Sequence, residues 1–259
     1  MKFKTILAAA ACIAALPAIA QDAPEIDSLD MEAPKRLLFV GNSYLYYGDS
    51  LHNHVVRMAR TAYPDESFTY KSATISGAYL DHHDIDSHLE PGKLGVDDPF
   101  DVVILQGHST AMTTDEKVKR FNDAAKEMQA AIAATGAKTA LYMTPAYSDE
   151  HRRYDPGMFD KVDAGYTAAG NTLDALVIPV GLAFEMAYER QPDINLHKDF
   201  DGSHPTLLGT YLAAATTYAA LYGESVVGNP YDYFGSVSEE DAAFLQQVAE
   251  DAVAAYYSR

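Results

Sequence analysis

Thiols are almost missing from this chain. Its 259 residues include one cysteine, Cys12, which falls within the first twenty positions, so everything after it is free of sulfhydryls. Disulfides, thiol catalysis and cysteine-ligated zinc are excluded beyond that point. Positive charge is scarce as well: 19 Lys and Arg face 37 Asp and Glu, a formal charge of −18. So acidic a chain lacks the basic footprint that nucleic acids and anionic membranes require, and is left with neutral substrates or cations. Membrane-length apolar runs are missing too. The one candidate, residues 6–16, is shorter than the roughly 20 residues needed to cross a bilayer core. Nor is there an internal repeat, or a linker that would split the chain into two domains.

What the N-terminus does contain reads as an export signal. Lys2 and Lys4 are basic, residues 6–16 are apolar, and Pro17-Ala18-Ile19-Ala20 presents small residues before Gln21. This is the pattern of a signal peptide over residues 1–20, cleaved after Ala20, and it predicts a periplasmic or secreted protein with no stable membrane insertion. Losing Lys2 and Lys4 would take the charge from −18 to −20. Residues 21–34 are acidic and contain proline, which predicts a flexible leader. Residues 35–259 then form one domain, long enough to bury a core without covalent staples.

Within that domain short apolar runs alternate with helical periodicity. Leu37-Leu38-Phe39-Val40 ends at Gly41 and suits a buried parallel strand. Residues 67–73, 102–105, 139–143 and 175–180 supply four more strands. Between them Val118, Phe121, Ala125, Met128 and Ile132 recur at helical steps, with Thr113 and Glu116 as a capping box and Gly136 as a stop. Leu51, Val55, Met58 and Ala62 repeat the pattern, as do Phe244, Val248, Ala252 and Tyr256. The fold class is α/β, a parallel sheet covered on both faces.

Ligand sites of such sheets lie off the carboxyl ends of the strands. Gly41-Asn42-Ser43 follows the first strand, Gly77 follows the second, and Gln106-Gly107-His108-Ser109 ends the third. Asp201-Gly202-Ser203-His204-Pro205 precedes a long apolar helix over residues 207–221, with Pro205 suited to its first turn. A serine hydroxyl becomes a nucleophile when a base takes its proton. Histidine serves as that base near neutral pH when a carboxylate fixes its other nitrogen. Ser43, His204 and Asp201 supply this set. The Ser43 and Gly77 backbone N–H groups and the Gln106 side-chain amide could provide three donors to an oxyanion.

These blocks resemble the SGNH (GDSL-like) hydrolases. Leu37 to Ser43 is similar to the first block of that family, in the branch reading Gly-Asn-Ser-Phe/Tyr; Gly77 fits the second, and Asp201-x-x-His204-Pro205 the last. The resemblance implies a three-layer α/β/α sandwich with a five-stranded parallel sheet, of flavodoxin-like type, and ester hydrolysis without a cofactor. The usual third block, Gly-x-Asn-Asp, is absent. Gln106-Gly107-His108 is instead similar to the Gln-Gly-Glu block of sialate and acetylxylan O-acetylesterases, which implies the donor role for Gln106. Since His108 replaces the glutamate, the acidic triad member falls to Asp201.

Gly48-Asp49-Ser50-Leu51 spells the GDSL motif literally, but no strand precedes it, so Asp49 or Ser50 is expected to cap the helix from Leu51. Asp81-His82-His83-Asp84-Ile85-Asp86-Ser87-His88 contains metal-ligand types, yet no two of its histidines have the helical spacing a site would need; it reads as a solvated polar segment. Tyr44, Tyr46, Tyr47, Tyr79 and Tyr147 could line an acyl pocket, stack on a sugar or simply pack. Residues 147–154 read as a rim loop. The resulting expectation is an esterase removing a short acyl group, acetyl foremost, from a small-molecule or carbohydrate ester. The same machinery would suit a lysophospholipase, a short-chain lipase or a sugar O-acyltransferase, and the fold alone would suit a non-catalytic carbohydrate-binding protein.

Overall fold

The computed structural model describes residues 23–258, so the signal-peptide reading of residues 1–20 lies outside the described residues. The strands are β1 (Arg36–Gly41), β2 (Thr69–Thr74), β3 (Val102–Gln106), β4 (Lys138–Tyr142) and β5 (Leu176–Ile178). All pair in parallel, in the order β2-β1-β3-β4-β5. The helices are α1 (Ser43–Tyr46), α2 (Leu51–Ala62), α3 (Ile85–Leu89), α4 (Asp115–Ala134), α5 (Met158–Leu173), α6 (Val180–Arg190), α7 (Leu207–Tyr222) and α8 (Glu239–Tyr257).

Successive side chains of a strand point to opposite faces, and here both faces are covered. Leu37, Phe39, Val102, Ile104, Leu176 and Ile178 pack with Val55 and Met58 of α2, Phe184 of α6, Tyr211 of α7 and Leu245 of α8. Leu38, Val40, Val103, Leu105 and Val177 pack with Phe121 and Ile132 of α4 and with Val162 and Tyr166 of α5. Burial on both sides is why these strands read as unbroken apolar runs. β2 is an edge strand whose residues are all half-buried, which accounts for its polar sequence. Helix α7 is buried over Gly209 to Leu221 on every side, so its sequence is apolar all round. Among the described residues no helix is long and apolar enough to cross a membrane.

Three local expectations change. Thr114, not Thr113, caps α4, its side chain accepting from Lys117 N–H. Pro205 lies one residue before the α7 cap, Thr206, and pairs in a bridge with His197 instead of entering the helix. The described part of the leader is docked, not free: Asn171 holds it by accepting from Glu25 N–H and donating to the Ala23 carbonyl, both at 2.9 Å, and Leu29 is buried. Acidic residues in such an arm face water while buried Leu29 anchors it.

The chain reverses its direction of strand addition at β1, which sits between β2 and β3. The carboxyl ends of β1 and β3 therefore flank a crevice of the kind where open α/β sheets bind ligands. Just before the loop that completes this crevice, His197 is buried against Tyr188, whose hydroxyl lies 2.7 Å from Nδ1. Burial pushes its imidazole down to about 4, against about 6.5 in an unfolded chain. On acidification the unfolded state takes up this proton first, so the contribution is complete above the unfolded value and is lost as pH falls towards the folded one. The loss is on the order of 3 kcal/mol. Urea unfolding is expected to show stability falling as pH drops from 6.5 towards 4, with His197→Gln flattening part of that slope. A pH-independent stability across this window would contradict the assignment.

Candidate active site

The first loop is fixed by backbone demands. A Cβ on Gly41 would meet Gln106 Cβ and Leu45 Cδ1 at 2.9 Å, so only glycine lets the end of β1 approach β3 this closely. Asn42 is extended and held at three atoms. Its N–H donates to Gln106 Oε1 at 2.9 Å, its Nδ2 donates to the Ala78 carbonyl at 3.0 Å, and its Oδ1 accepts from Tyr44 N–H at 3.2 Å. Ser43 follows as the first residue of α1, where helix geometry leaves the backbone N–H without an intrahelical acceptor.

The second component is the loop before α7. Its turn is closed by Gly202 N–H donating to the Lys198 carbonyl at 2.8 Å and by Lys198 N–H donating to that of His204 at 2.7 Å. Gly202 has φ +59°, and a Cβ there would meet Ser148 Oγ at 2.6 Å, so the turn needs glycine. Asp201 Oδ1 accepts from Ser203 N–H at 2.9 Å and His204 N–H at 3.0 Å, leaving Oδ2 for His204 Nδ1 at 2.5 Å. His204 Nε2 lies 2.7 Å from Ser43 Oγ. The structure thus brings Ser43, His204 and Asp201 into one hydrogen-bonded line across 161 residues of sequence. Burial alone would raise the Asp201 carboxyl, but the hydrogen bonds from His204 and Ser203 outweigh it and hold the group below its ordinary value. The His204 ring is clamped by Tyr47, stacked at 4.1 Å and 22°.

Ser43, Gly77, Asp201 and His204 open into one hollow of about 210 Å³. Gly77 has φ +64° with open space where a side chain would stand. Two hydroxyl pairs line the hollow: Tyr44 with Ser203 at 2.6 Å, and Ser109 with Tyr147 at 2.9 Å. Arg153, on the rim, donates to the Tyr147 hydroxyl at 3.4 Å. Burial drives the Tyr44 phenol far above its ordinary value, so it stays protonated. A larger hollow of about 440 Å³ lies between the leader and the end of α7, but it holds none of these chemical groups. The site is assigned by chemistry, not by size.

Several expectations need revision. Gln106 is buried and its amide is spent within the fold: Oε1 accepts from Asn42 N–H and Nε2 donates to the Gly107 carbonyl. It positions the first loop from below and does not line the hollow, where His108 and Ser109 stand instead. Ser50 also lies outside the hollow. Gly48, Asp49 and Ser50 all have positive φ, and Ser50 occupies the cap position of α2 without a side-chain capping bond. The segment from Asp81 to His88 is not uniformly solvated. His83 is buried and its Nε2–H donates to the Gly41 carbonyl at 2.9 Å, while burial pushes its imidazole down. Among the described residues no three His, Cys, Asp or Glu side chains gather as a metal-binding group. Of the tyrosines, Tyr44 and Tyr147 line the hollow, whereas Tyr46 stacks on Tyr47 and Tyr79 on His108. The rim loop is as expected, Tyr147, His151 and Arg153 all reaching the hollow. The sequence held no signal for the Tyr44–Ser203 and Ser109–Tyr147 pairs, which form only when separate loops meet.

No protein-family model and no curated protein matches this sequence. Solved structures do resemble it. A DUF4886 family protein from Bacteroides uniformis superposes with a TM-score of 0.65 at 18% identity, over 85% of this chain and 95% of that one. A candidate SGNH hydrolase from Slackia heliotrinireducens gives 0.57 at 19% identity, over 72% and 98%. A variant of an acetyl-xylooligosaccharide esterase from Geobacillus Stearmophilus gives 0.56 at 16% identity, over 76% and 98%. With its parallel sheet in the order β2-β1-β3-β4-β5 and helices on both sides, this chain has the fold of the SGNH/GDSL-like hydrolases.

Proposed function

We propose that this protein is an exported serine esterase that removes short acyl groups, acetyl foremost, from small-molecule or carbohydrate esters. The observation that carries this reading is the unbroken line Ser43 Oγ to His204 Nε2, and His204 Nδ1 to Asp201 Oδ2, at 2.7 and 2.5 Å. Export rests on the N-terminal sequence pattern alone. In the proposed reaction His204 Nε2 takes the Ser43 proton as Oγ bonds to the ester carbon, and the carbonyl electron pair moves onto oxygen. Collapse breaks the bond to the alcohol, which leaves with the proton from His204. Water then repeats the attack with His204 as base, releasing the acid and restoring Ser43. Asp201, kept ionised, holds His204 in the tautomer whose Nε2 can accept. In this reaction the Ser43 and Gly77 N–H groups, both from residues lining the hollow, would donate to the developing oxyanion.

The short-acyl preference is supported by size. A hollow of about 210 Å³ is smaller than the roughly 300–1,000 Å³ of pockets that take drug-sized ligands. Among the described residues its lining carries no aliphatic side chain: hydroxyls, imidazoles, a guanidinium, a carboxylate, an amide and Gly77 surround it. For p-nitrophenyl esters, kcat/KM is expected to fall by about 10-fold or more from acetyl to octanoyl, since methylenes that misfit a small pocket cost that much. A rate that rises with acyl length would replace this reading with a lipid esterase.

A further inference from the structure

The end of β3 carries an imidazole that the reaction above leaves unused. His108 lines the same hollow as Ser43 and Gly77. Its Nδ1 accepts the Thr110 backbone N–H at 3.1 Å, with the Thr110 hydroxyl 3.0 Å away. With that lone pair engaged, the neutral ring carries its proton on Nε2. Among the described residues Nε2 has no hydrogen-bond partner. The ring plane is held as firmly as its edge. It stacks on Tyr79 at 4.4 Å and 9°, and the Arg120 guanidinium lies 3.8 Å from the Tyr79 ring centre. Arg120 is anchored in turn by Asp81 at 2.9 Å and His82 at 3.0 Å. The first residues of the polar segment thus brace a stack that ends at the hollow.

We propose that His108 contacts substrate, its Nε2–H donating to the acyl oxygen as that oxygen becomes an oxyanion and filling the donor position that Gln106 does not. This rests on the esterase reading above. Burial, with Lys117, Arg153 and Arg120 nearby, pushes the ring down to about 4, so it is uncharged near neutral pH and cannot compete with His204 as a cationic acid. A donor fixed in tautomer and orientation before substrate arrives needs no reorganisation when charge develops. Of these cations Arg153 lines the hollow itself and places a positive charge on its rim. The Ser109 hydroxyl, shared with Tyr147, is a rotor and lacks this fixed direction.

The test compares p-nitrophenyl acetate turnover by the parent protein, His108→Phe, His108→Gln and Ser43→Ala, with melting temperatures read in parallel. Phenylalanine keeps a ring to stack on Tyr79 but offers no N–H. His108→Phe is expected to lose about 10²-fold or more in kcat with KM nearly unchanged, as for a donor used only in the transition state. His108→Gln, which regains an N–H, is expected to recover part of that loss. In the parent protein ¹⁵N NMR is expected to show His108 neutral and protonated on Nε2 at pH 7. Parental kcat in a folded His108→Phe, or protonation on Nδ1, would overturn the proposal. A dead Ser43→Ala beside an unimpaired His108→Phe removes only the role of His108, whereas parental turnover in Ser43→Ala removes the esterase reading and this inference with it.

Discussion

Ser43→Ala is expected to lower ester turnover by on the order of 10⁶-fold, the loss seen when triads of this kind are deprived of their serine. Ser50→Ala is expected to leave kcat essentially unchanged. The two serines are seven residues apart and each follows a Gly-Asn or Gly-Asp pair, so sequence alone offers both. Geometry separates them. Ser43 leaves the carboxyl end of a central strand, opens into the hollow and lies 2.7 Å from His204 Nε2. Ser50 sits with φ +63° in a left-handed turn that starts α2. Its neighbour Gly48 is wedged against α7, where a Cβ would meet Thr210 Cβ at 2.9 Å. Removing Ser50 Oγ takes away no capping bond, so neither stability nor rate should move. Parallel assays of the two alanine variants on p-nitrophenyl acetate read this directly, and loss of turnover in Ser50→Ala would invert the assignment.

Asp201→Asn is expected to reduce kcat by on the order of 10⁴-fold with the fold intact. The reason lies in the division of labour between the two carboxylate oxygens. Oδ1 accepts two backbone N–H groups, from Ser203 and His204, at 2.9 and 3.0 Å. An asparagine keeps those bonds only by placing its carbonyl oxygen there, which turns its NH₂ towards His204 Nδ1. That nitrogen must then accept, the ring proton moves to Nε2, and the Ser43 proton has nowhere to go. The loop should survive, because its turn is also closed by the bonds between Lys198 and Gly202 and between His204 and Lys198. Steady-state kcat together with the ¹⁵N-detected tautomer of His204 checks both halves; full activity with His204 protonated on Nε2 would refute the role of Asp201.

The parts of the fold that could be read in sequence are those whose residues are chosen by burial alone. Leu37 to Val40 and Val102 to Leu105 are buried on both faces, so nothing but apolar residues is tolerated there. Helix α5 leaves a fainter signal in the sequence. Met158, Val162, Tyr166, Ala169 and Leu173 keep a helical rhythm, but Gly165 and Gly170 interrupt it. Both are there for close approach: a Cβ on Gly165 would meet Met112 Cγ at 2.9 Å, and one on Gly170 the Ala175 carbonyl at 3.0 Å. A close contact between elements leaves no signature in local pattern.

The candidate site divides in the same way. Asp201 and His204 were legible because they share one turn, and Ser43 because it ends a strand. Gln106 misled because position after a strand does not reveal what an amide bonds to; here it ties the ends of β1 and β3 together. His108, Tyr47 and the Ser109–Tyr147 pair acquire their places only from the meeting of loops distant in sequence. Their residue types hinted at chemistry, but their directions came from tertiary structure.

The most direct measurement is covalent labelling of the protein with a fluorophosphonate, followed by mass spectrometry of the modified peptide. A serine activated as described here should take one adduct, on Ser43, with labelling strongly slowed in Asp201→Asn. An adduct on Ser50, or no adduct on Ser43 in protein that still hydrolyses p-nitrophenyl acetate, would contradict the account.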